Sequence, residues 1–413
     1  MLSTCFLPFV AAAAPTLGLA DNEATDPNWT VELPVLESMA IAADRVYTVS
    51  GDVIEDGFVR IQGGKIVAIG PGDGGADIRV AAITPGLIDL SPKISPGLDS
   101  VEQVAESTPH IRAIDAFNPF SYRWDRELRS GVTTAMVAVP DRNVIGGLSA
   151  VVKTGGPETV EDRLVSADVA LRGAMGSEPS SGNRPAGSRG PTGLFNRRPT
   201  TRMGVEWIAR KSFYDALAAK RGDSAPYPGL EQLVSVLNGE LPLMLKAGTT
   251  QDIRTAIYLK EEFGIPELIL DGAAEAWKEP EMLVRSGASV VLPPFSWEGR
   301  SDTDGGFMAW NNAALLEELG VSFALSGRGA NNHDERLYVQ PAYAVRGGAS
   351  RKAALAAVTL TPARILGLAD RVGSLEVGKD ADLCLWSGQP GEFTAGVVGV
   401  VLNGELVVDP RSE

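Results

Sequence analysis

The two ends of the chain share one hydrophobic rhythm, and the middle has another. Near the N-terminus, "AIAADRVYTVSG" (40–51) and "GFVRIQGGKIVAIG" (57–70) place β-branched residues on short stretches separated by glycine. A turn is expected at Gly51-Asp52. A two-residue hairpin turn is expected at Gly63-Gly64, flanked on both sides by strand formers. Near the C-terminus, "VGSLEVGKDADLCLWSG" (372–388) is followed by "VVGVVLNGELVV" (397–408), where Asn403-Gly404 marks another hairpin. Between these ends, short apolar runs alternate with longer helical patterns. The runs cover 83–90, 132–139, 150–154, 243–247, 268–270, 290–292 and 323–325. One of the helical patterns, "TTQDIRTAIYLKEEFG" (249–264), pairs Thr249 with Asp252 as a capping box and stops at Gly264.

A strand followed by a helix, repeated about eight times, predicts an α/β fold with a (β/α)8 TIM barrel over residues 83–366. A doubly wound sheet also alternates, but no Gly-x-Gly-x-x-Gly follows the first strand. The flanking β-rich segments, 38–82 and 367–409, are expected to pair into one small composite β-sandwich domain. Residues 176–202 ("GSEPSSGNRPAGSRGPTGLFNRRPTTR") interrupt the rhythm as a long loop rich in Gly, Pro, Ser and Arg. Such a loop either helps to form a site at the barrel mouth or is a surface insertion.

Composition narrows the function. Apolar residues make up 44% and charged residues 22% of 413, the balance of a globular chain, and the length suits a barrel with a smaller domain. The net charge of -15 argues against nucleic acid, whose binding depends on Lys and Arg neutralising phosphates. The opening "MLSTCFLPFVAAAAPTLGLA" has an apolar core and a small-residue cut site after Ala20, though no Lys or Arg precedes Arg45. It is read as a weak signal peptide over 1–20, hence an exported protein. No other apolar run reaches the roughly 18 residues of a membrane span. Cysteine occurs only at Cys5 and Cys384, and histidine only at His110 and His333, so a multi-histidine metal site cannot be built from these alone.

The stretch "ITPGLIDLSPKISPGL" (83–98) begins as an entry strand for a metal-dependent hydrolase and then departs from one. "ITPGLIDLS" resembles the first barrel strand of the amidohydrolase superfamily, usually Pro-Gly-Leu-Ile-Asp-x-His-x-His. "AALAAVTLTPARILGLADRVGSLEVGKDADLCLWSG" (353–388) resembles the closing segment of that superfamily. The stretches "TPHIRAIDAFNPF", "GVTTAMVAVPDRNVIGGLSAVVKTGG" and "TRMGVEWIARKSFYDAL" look like the imidazolonepropionase-like members. The resemblance implies hydrolysis of C–N bonds by Zn or another divalent metal that activates a water at the barrel mouth. By the same resemblance the first-strand histidine pair falls on Ser91 and Lys93. The fifth-strand histidine falls on Lys246, the sixth-strand histidine on Asp271 or Gly272, and the last-strand aspartate on Gly327. Arg172 stands where a lysine is expected, and Arg328 follows Gly327.

Ammonium groups repel a dication at short range and, when protonated, offer it no lone pair. The leading expectation is therefore a non-catalytic member with no catalytic residue, no metal and no cofactor. Its positions Ser91, Lys93, Lys246, Asp271, Gly327 and Arg328 are read first as drift after loss of function, with lysines snorkelling to solvent, and second as contacts to an anion or other small-molecule ligand. It would act as a binding or assembly subunit, as a homo-oligomer or paired with an active amidohydrolase paralogue. The competing expectation is a hydrolase of carbon–nitrogen bonds other than peptide bonds, with an atypical site drawn from Asp89, Asp271, His333 and Asp334. A lysine-based Schiff-base catalyst using Lys93 or Lys246 ranks last. Lys153 is a candidate bridging lysine at the end of a barrel strand, Glu275 a capping or packing residue, and His110 a hydrogen-bonding or core position. Trp207, Trp277, Trp297 and Trp310 are candidate pocket aromatics, more often packing than ligand cages.

Overall fold

A computed structural model describes residues 38–92, 94, 101–102, 105–181, 198–223, 225–296, 306–327 and 336–411. The expected signal segment 1–20, Lys93, the centre of the 176–202 loop, Trp297, Arg328, His333 and Asp334 lie outside them.

The two chain ends meet in one seven-stranded sheet. Its strands are β1 (Ser38–Tyr47), β2 (Val53–Gln62), β3 (Lys65–Pro71) and β4 (Ile78–Pro85) from the N-terminal side. From the C-terminal side come β13 (Leu383–Trp386), β14 (Val397–Leu402) and β15 (Glu405–Val408). The order is β15-β14-β13-β4-β1-β2-β3, so β4 joins the two halves by pairing parallel to β1 and antiparallel to β13. The sheet rolls until its edge meets the approach to β13. The Ile66 amide donates to the Lys379 carbonyl at 3.0 Å, and the Ala381 amide to the Gly64 carbonyl at 2.9 Å. The rolled interior holds Ile41, Val59, Ile66, Ile83 and Leu385, with Val46 joining the same cluster near the end of β1. Both expected hairpins form where successive residues adopt positive φ, Gly63 and Gly64 at 57° and 76° and Asn403 and Gly404 at 49° and 86°.

The apolar run that begins at Ile83 is divided between the two domains. Its residues through Pro85 belong to the composite sheet, and those from Leu87 to the barrel. The barrel has eight strands: β5 (Leu87–Asp89), β6 (Val132–Val137), β7 (Ile145–Lys153), β8 (Leu164–Ala174), β9 (Leu243–Lys246), β10 (Leu268–Asp271), β11 (Ser289–Leu292) and β12 (Phe323–Leu325). Segment 357–358 spans the gap between β12 and β5: Leu325 donates to the Ala357 carbonyl and Ile88 to the Val358 carbonyl. Every strand sends one residue to a common inner layer: Ile88, Met136, Val151, Ala170, Met244, Ile269, Val291 and Ala324. That is the filled interior of a packed barrel.

One strand departs from the repeating unit. β7 runs antiparallel to both β6 and β8, so a meander replaces two strand–helix units. Its direction moves Lys153 from the mouth to the opposite face, level with Thr134 near the start of β6. The expectation of a bridging lysine at the mouth is corrected accordingly. Lys153 is 3% exposed and its ammonium pairs with Asp382 and, at 3.3 Å, with Asp380. Burial alone raises the carboxyl of Asp380, but bonding to Lys65 and the charges of Lys153 and Arg371 bring it below its ordinary value. The network joins the barrel floor to the composite sheet.

Lys153→Met leaves the Asp382 carboxylate buried without its cation and is expected to cost about 3–5 kcal/mol in urea denaturation. Lys153→Met with Asp382→Leu is expected to recover much of that loss. Equal stability of all three proteins would contradict the assignment.

Candidate functional site

Inward-facing positions recur at every second residue of a barrel strand. Met244 and Ile269 point inward, so Lys246 and Asp271, two residues on, do so one layer nearer the mouth. Arg172 bears the same relation to Ala170 on β8. All three are buried although each is ionisable.

The Arg172 guanidinium joins two carboxylates. Its Nη2 lies 2.8 Å from Asp141 and 2.5 Å from Asp271, and its Nε donates to Asp141 at 3.0 Å. Burial alone pulls down the pKa of Arg172, but the two aspartates outweigh it and bind its proton more tightly than usual. The Ser91 hydroxyl donates to Asp271 at 3.1 Å, and the Ser91 amide to Asp89 at 2.9 Å. The Gly327 amide donates to the other oxygen of Asp89 at 3.0 Å. Lys246 lies across Gly272: a Cβ built there would stand 2.2 Å from its Nζ. Gly272 also holds φ at +65°, a conformation that favours glycine.

Of the residues singled out from the sequence, Ser91, Asp271 and Gly327 are thus drawn into one hydrogen-bonded group with Asp89. Lys246 occupies the same layer beside Gly272, while Lys93 and Arg328 lie outside the described residues. Two features differ from expectation. Asp141, in the loop between β6 and β7, was not anticipated; its only sequence signal is a Pro-Asp pair just past a strand end. The lining is also more balanced than a run of lysines implies, because Asp141 and Asp271 accompany Arg172 and Lys246. The buried donors with no hydrogen-bond partner among the described residues include Arg172 Nη1 and the hydroxyl of Ser149, which lies opposite Ala170.

The donor set fits a divalent metal poorly. Among the described residues no three His, Cys, Asp or Glu side chains converge as ligands. The carboxylate of Asp271 is already engaged by a guanidinium and a hydroxyl.

The other candidates lie elsewhere. Glu275 caps the helix Thr250–Phe263, accepting from the Thr250 amide at 2.8 Å and from its hydroxyl at 2.6 Å. The Thr249 hydroxyl bonds the Asp252 carboxylate instead of a backbone amide. His110 is exposed, not packed. Trp310 stacks on Phe295, Trp277 donates to the Phe307 carbonyl, and Trp207 is exposed on its helix. Burial pushes the Cys384 thiol up to about 12, which makes it a poor nucleophile.

Several known proteins share this architecture. A model of the Amidohydrolase family matches residues 329–408. The solved structure of an amidohydrolase from Thermotoga maritima is similar with a TM-score of 0.75 and 29% identity, over 89% of this chain and 99% of that one. An adenosine deaminase from Xanthomonas campestris, solved with bound zinc, shares the fold at a TM-score of 0.54 and 19% identity, over 90% of this chain and 93% of that one. Amidohydrolase tasK of Hapsidospora irregularis is 24% identical over 368 residues, which are 81% of this chain and 37% of that protein. Imidazolonepropionase of Shewanella oneidensis is 50% identical over 60 residues, 13% of this chain and 15% of that protein. The match therefore spans well under half the length of either curated relative.

Two predictions follow from the charges at the mouth. Arg172→Met leaves Asp141 and Asp271 buried without their cation, and a loss of about 3–5 kcal/mol is expected in chemical denaturation. Asp89 concerns pH. Desolvation pushes its carboxyl up to about 8, with the charges of Glu127 and Asp271 adding to the rise and the amides of Ser91 and Gly327 opposing it. In the unfolded chain the same group titrates near about 4. The folded protein thus keeps a proton that the unfolded chain releases between these values. The stability Asp89 contributes is whole below about pH 4 and is lost as the pH rises through about 8. Urea midpoints from pH 5 to 8 are expected to fall more steeply for the parent than for Asp89→Asn; parallel curves would refute the buried proton.

Proposed function

Because the chain is a member of the amidohydrolase superfamily, we propose that it is a non-catalytic member, a barrel that binds without holding a hydrolytic metal. The observation that carries the reading is the guanidinium of Arg172 between Asp141 and Asp271. A dication and a unit cation about 4 Å apart repel by about 8 kcal/mol at an effective dielectric of about 20. Lys246 adds a second positive charge to the same layer. A metal here would have to displace the arginine and leave the guanidinium buried without its carboxylates, which is costly.

Binding is supported by Arg172 Nη1 and the Ser149 hydroxyl, buried donors that a ligand acceptor or an ordered water would satisfy. On this reading Ser91, Lys246, Asp271 and Gly327 shape a ligand pocket. The protein then serves as a binding or assembly subunit, alone or beside an active paralogue. Export through residues 1–20 belongs to the same proposal. Among the described residues no helix is long and apolar enough to cross a membrane.

One observation favours a second reading, a C–N hydrolase with an unusual site. Asp89 and Asp271 both reach the mouth and are linked through Ser91. In that case the two carboxylates would recruit His333 and Asp334.

Elemental analysis of the purified full chain, beside an active amidohydrolase prepared identically, separates the two. Zinc, iron and manganese are expected well below stoichiometry, with no turnover of a cyclic and linear amide panel. A stoichiometric divalent ion, or amide hydrolysis abolished by a chelator, would overturn the first reading in favour of the second.

A further inference from the structure

A cavity of about 430 Å³ lies away from the barrel mouth, where the composite sheet meets the barrel. Its walls come from three places: the end of β1 with the turn into β2, the short helix Arg351–Ala356, and the loop after β13. The size falls within the range of small-molecule sites, about 300–1,000 Å³.

The polar groups in it converge. The Tyr47 hydroxyl is buried and makes no hydrogen bond of good geometry, although Gln389 and Arg45 stand within weak hydrogen-bonding reach of it. Arg45, Arg351 and Gln389 stand close enough to act on that phenol. Arg45 is held in place by Glu55, with its Nε 3.2 Å from both carboxylate oxygens, and Arg351 by Glu392 at 3.1 Å. Arg45 Nη1 also reaches the side-chain oxygen of Gln389 at 3.5 Å, and each guanidinium keeps further donors outside these bonds. Lys352 has no carboxylate within ion-pair reach among the described residues. The lining carries three cations (Arg45, Arg351, Lys352) against two anions (Asp52, Glu55), and Glu392 beside it balances Arg351, so the site is close to neutral on a chain whose net charge is -15. Val49, Val53 and Leu355 supply apolar wall.

The backbone adds a separate observation. Val49, in the turn that lines the cavity, adopts a φ of +68°, which a β-branched residue rarely does. The turn is pinned around it. The Thr48 hydroxyl donates to the Asp52 carbonyl at 3.0 Å and accepts from the Gly51 amide at 3.1 Å, while the Thr48 carbonyl accepts from Leu375 at 3.0 Å. Strain held in this way concentrates at ligand sites.

We infer that this junction is a second ligand site, which takes a small organic carboxylate with an apolar body. Its carboxylate meets the guanidinium edges of Arg45 and Arg351 and, once Arg45 releases Gln389, reaches the Tyr47 hydroxyl, with Lys352 at the rim. Its hydrocarbon part lies on Val49, Val53 and Leu355. Geometry suits Arg to this task, since a planar fork matches a carboxylate with paired bonds.

Calorimetric titration of the full chain with phenylacetate, 2-phenylethanol and inorganic phosphate tests the site. Phenylacetate is expected to bind saturably, and the neutral alcohol and phosphate about tenfold more weakly or less, as loss of a charge-assisted bond implies. Tyr47→Phe and Arg351→Gln are each expected to weaken phenylacetate about tenfold. Lys352→Gln, at an exposed position that folding does not need, is expected to weaken it less, and Ser91→Ala at the mouth to leave it unchanged. Absence of phenylacetate binding would overturn the proposal, as would equal binding of the alcohol, tighter binding of phosphate, or a loss in Ser91→Ala that is absent from Tyr47→Phe and Arg351→Gln. None of these results depends on whether the mouth holds a metal.

Discussion

A buried ammonium between two carboxylates fixes how the two parts of this protein are joined. Lys153 comes from the barrel, and Asp380 and Asp382 from the closing segment that returns to the first sheet. Each aspartate is held from further sides. Asp382 accepts from the Asn403 amide at 2.9 Å, and its backbone carbonyl accepts from Gly86 at 2.8 Å, just where the chain passes from β4 to β5. Asp380 also binds Lys65 at 2.6 Å and Arg371 at 3.1 Å. Charges removed from water are tolerable only when geometry and additional bonds compensate them. The Gly-Lys-Asp-Ala-Asp motif therefore reads as architecture: it clamps the sheet's C-terminal half to the barrel floor, far from any chemistry at the mouth.

At the mouth the same physics has a different result. Arg172, Lys246, Asp141 and Asp271 form a layer whose charges answer one another. By the sequence resemblance, Ser91, Lys246 and Gly327 stand where metal ligands are expected. Viewed in the folded chain, Ser91 supplies a hydroxyl to Asp271 and an amide to Asp89, and Gly327 offers its backbone amide to the other side of Asp89. These positions are in use, with backbone and hydroxyl donors holding the two carboxylates.

Local signals were legible and long-range ones were not. Gly63-Gly64, Asn403-Gly404 and Gly264 announced their turns and helix stop because positive φ selects glycine and asparagine within a few residues. The short apolar runs announced barrel strands because buried parallel strands are apolar on both faces. β8 escaped notice because its first half, "LVSADV", is only partly buried and mixes polar with apolar positions. The direction of β7 was hidden as well, since strand polarity depends on partners rather than on a strand's own residues. That one unknown displaced Lys153 from mouth to floor. Asp141 was obscured for a related reason: only the hairpin that β7 makes with β6 brings its loop over Arg172. At Glu275 a capping role is legible from the residue type, but its partner, the amide of Thr250, lies 25 residues away in sequence.

Gly272 carries a consequence for substitution. Its positive φ and the Lys246 side chain lying against it are two obstacles at a single position. Any larger residue there meets an unfavourable backbone and an occupied space together, and the second obstacle is removed only if Lys246 is shortened or turned aside. The bare backbone at 272 and the long side chain at 246 are thus a matched pair, one leaving the room that the other fills.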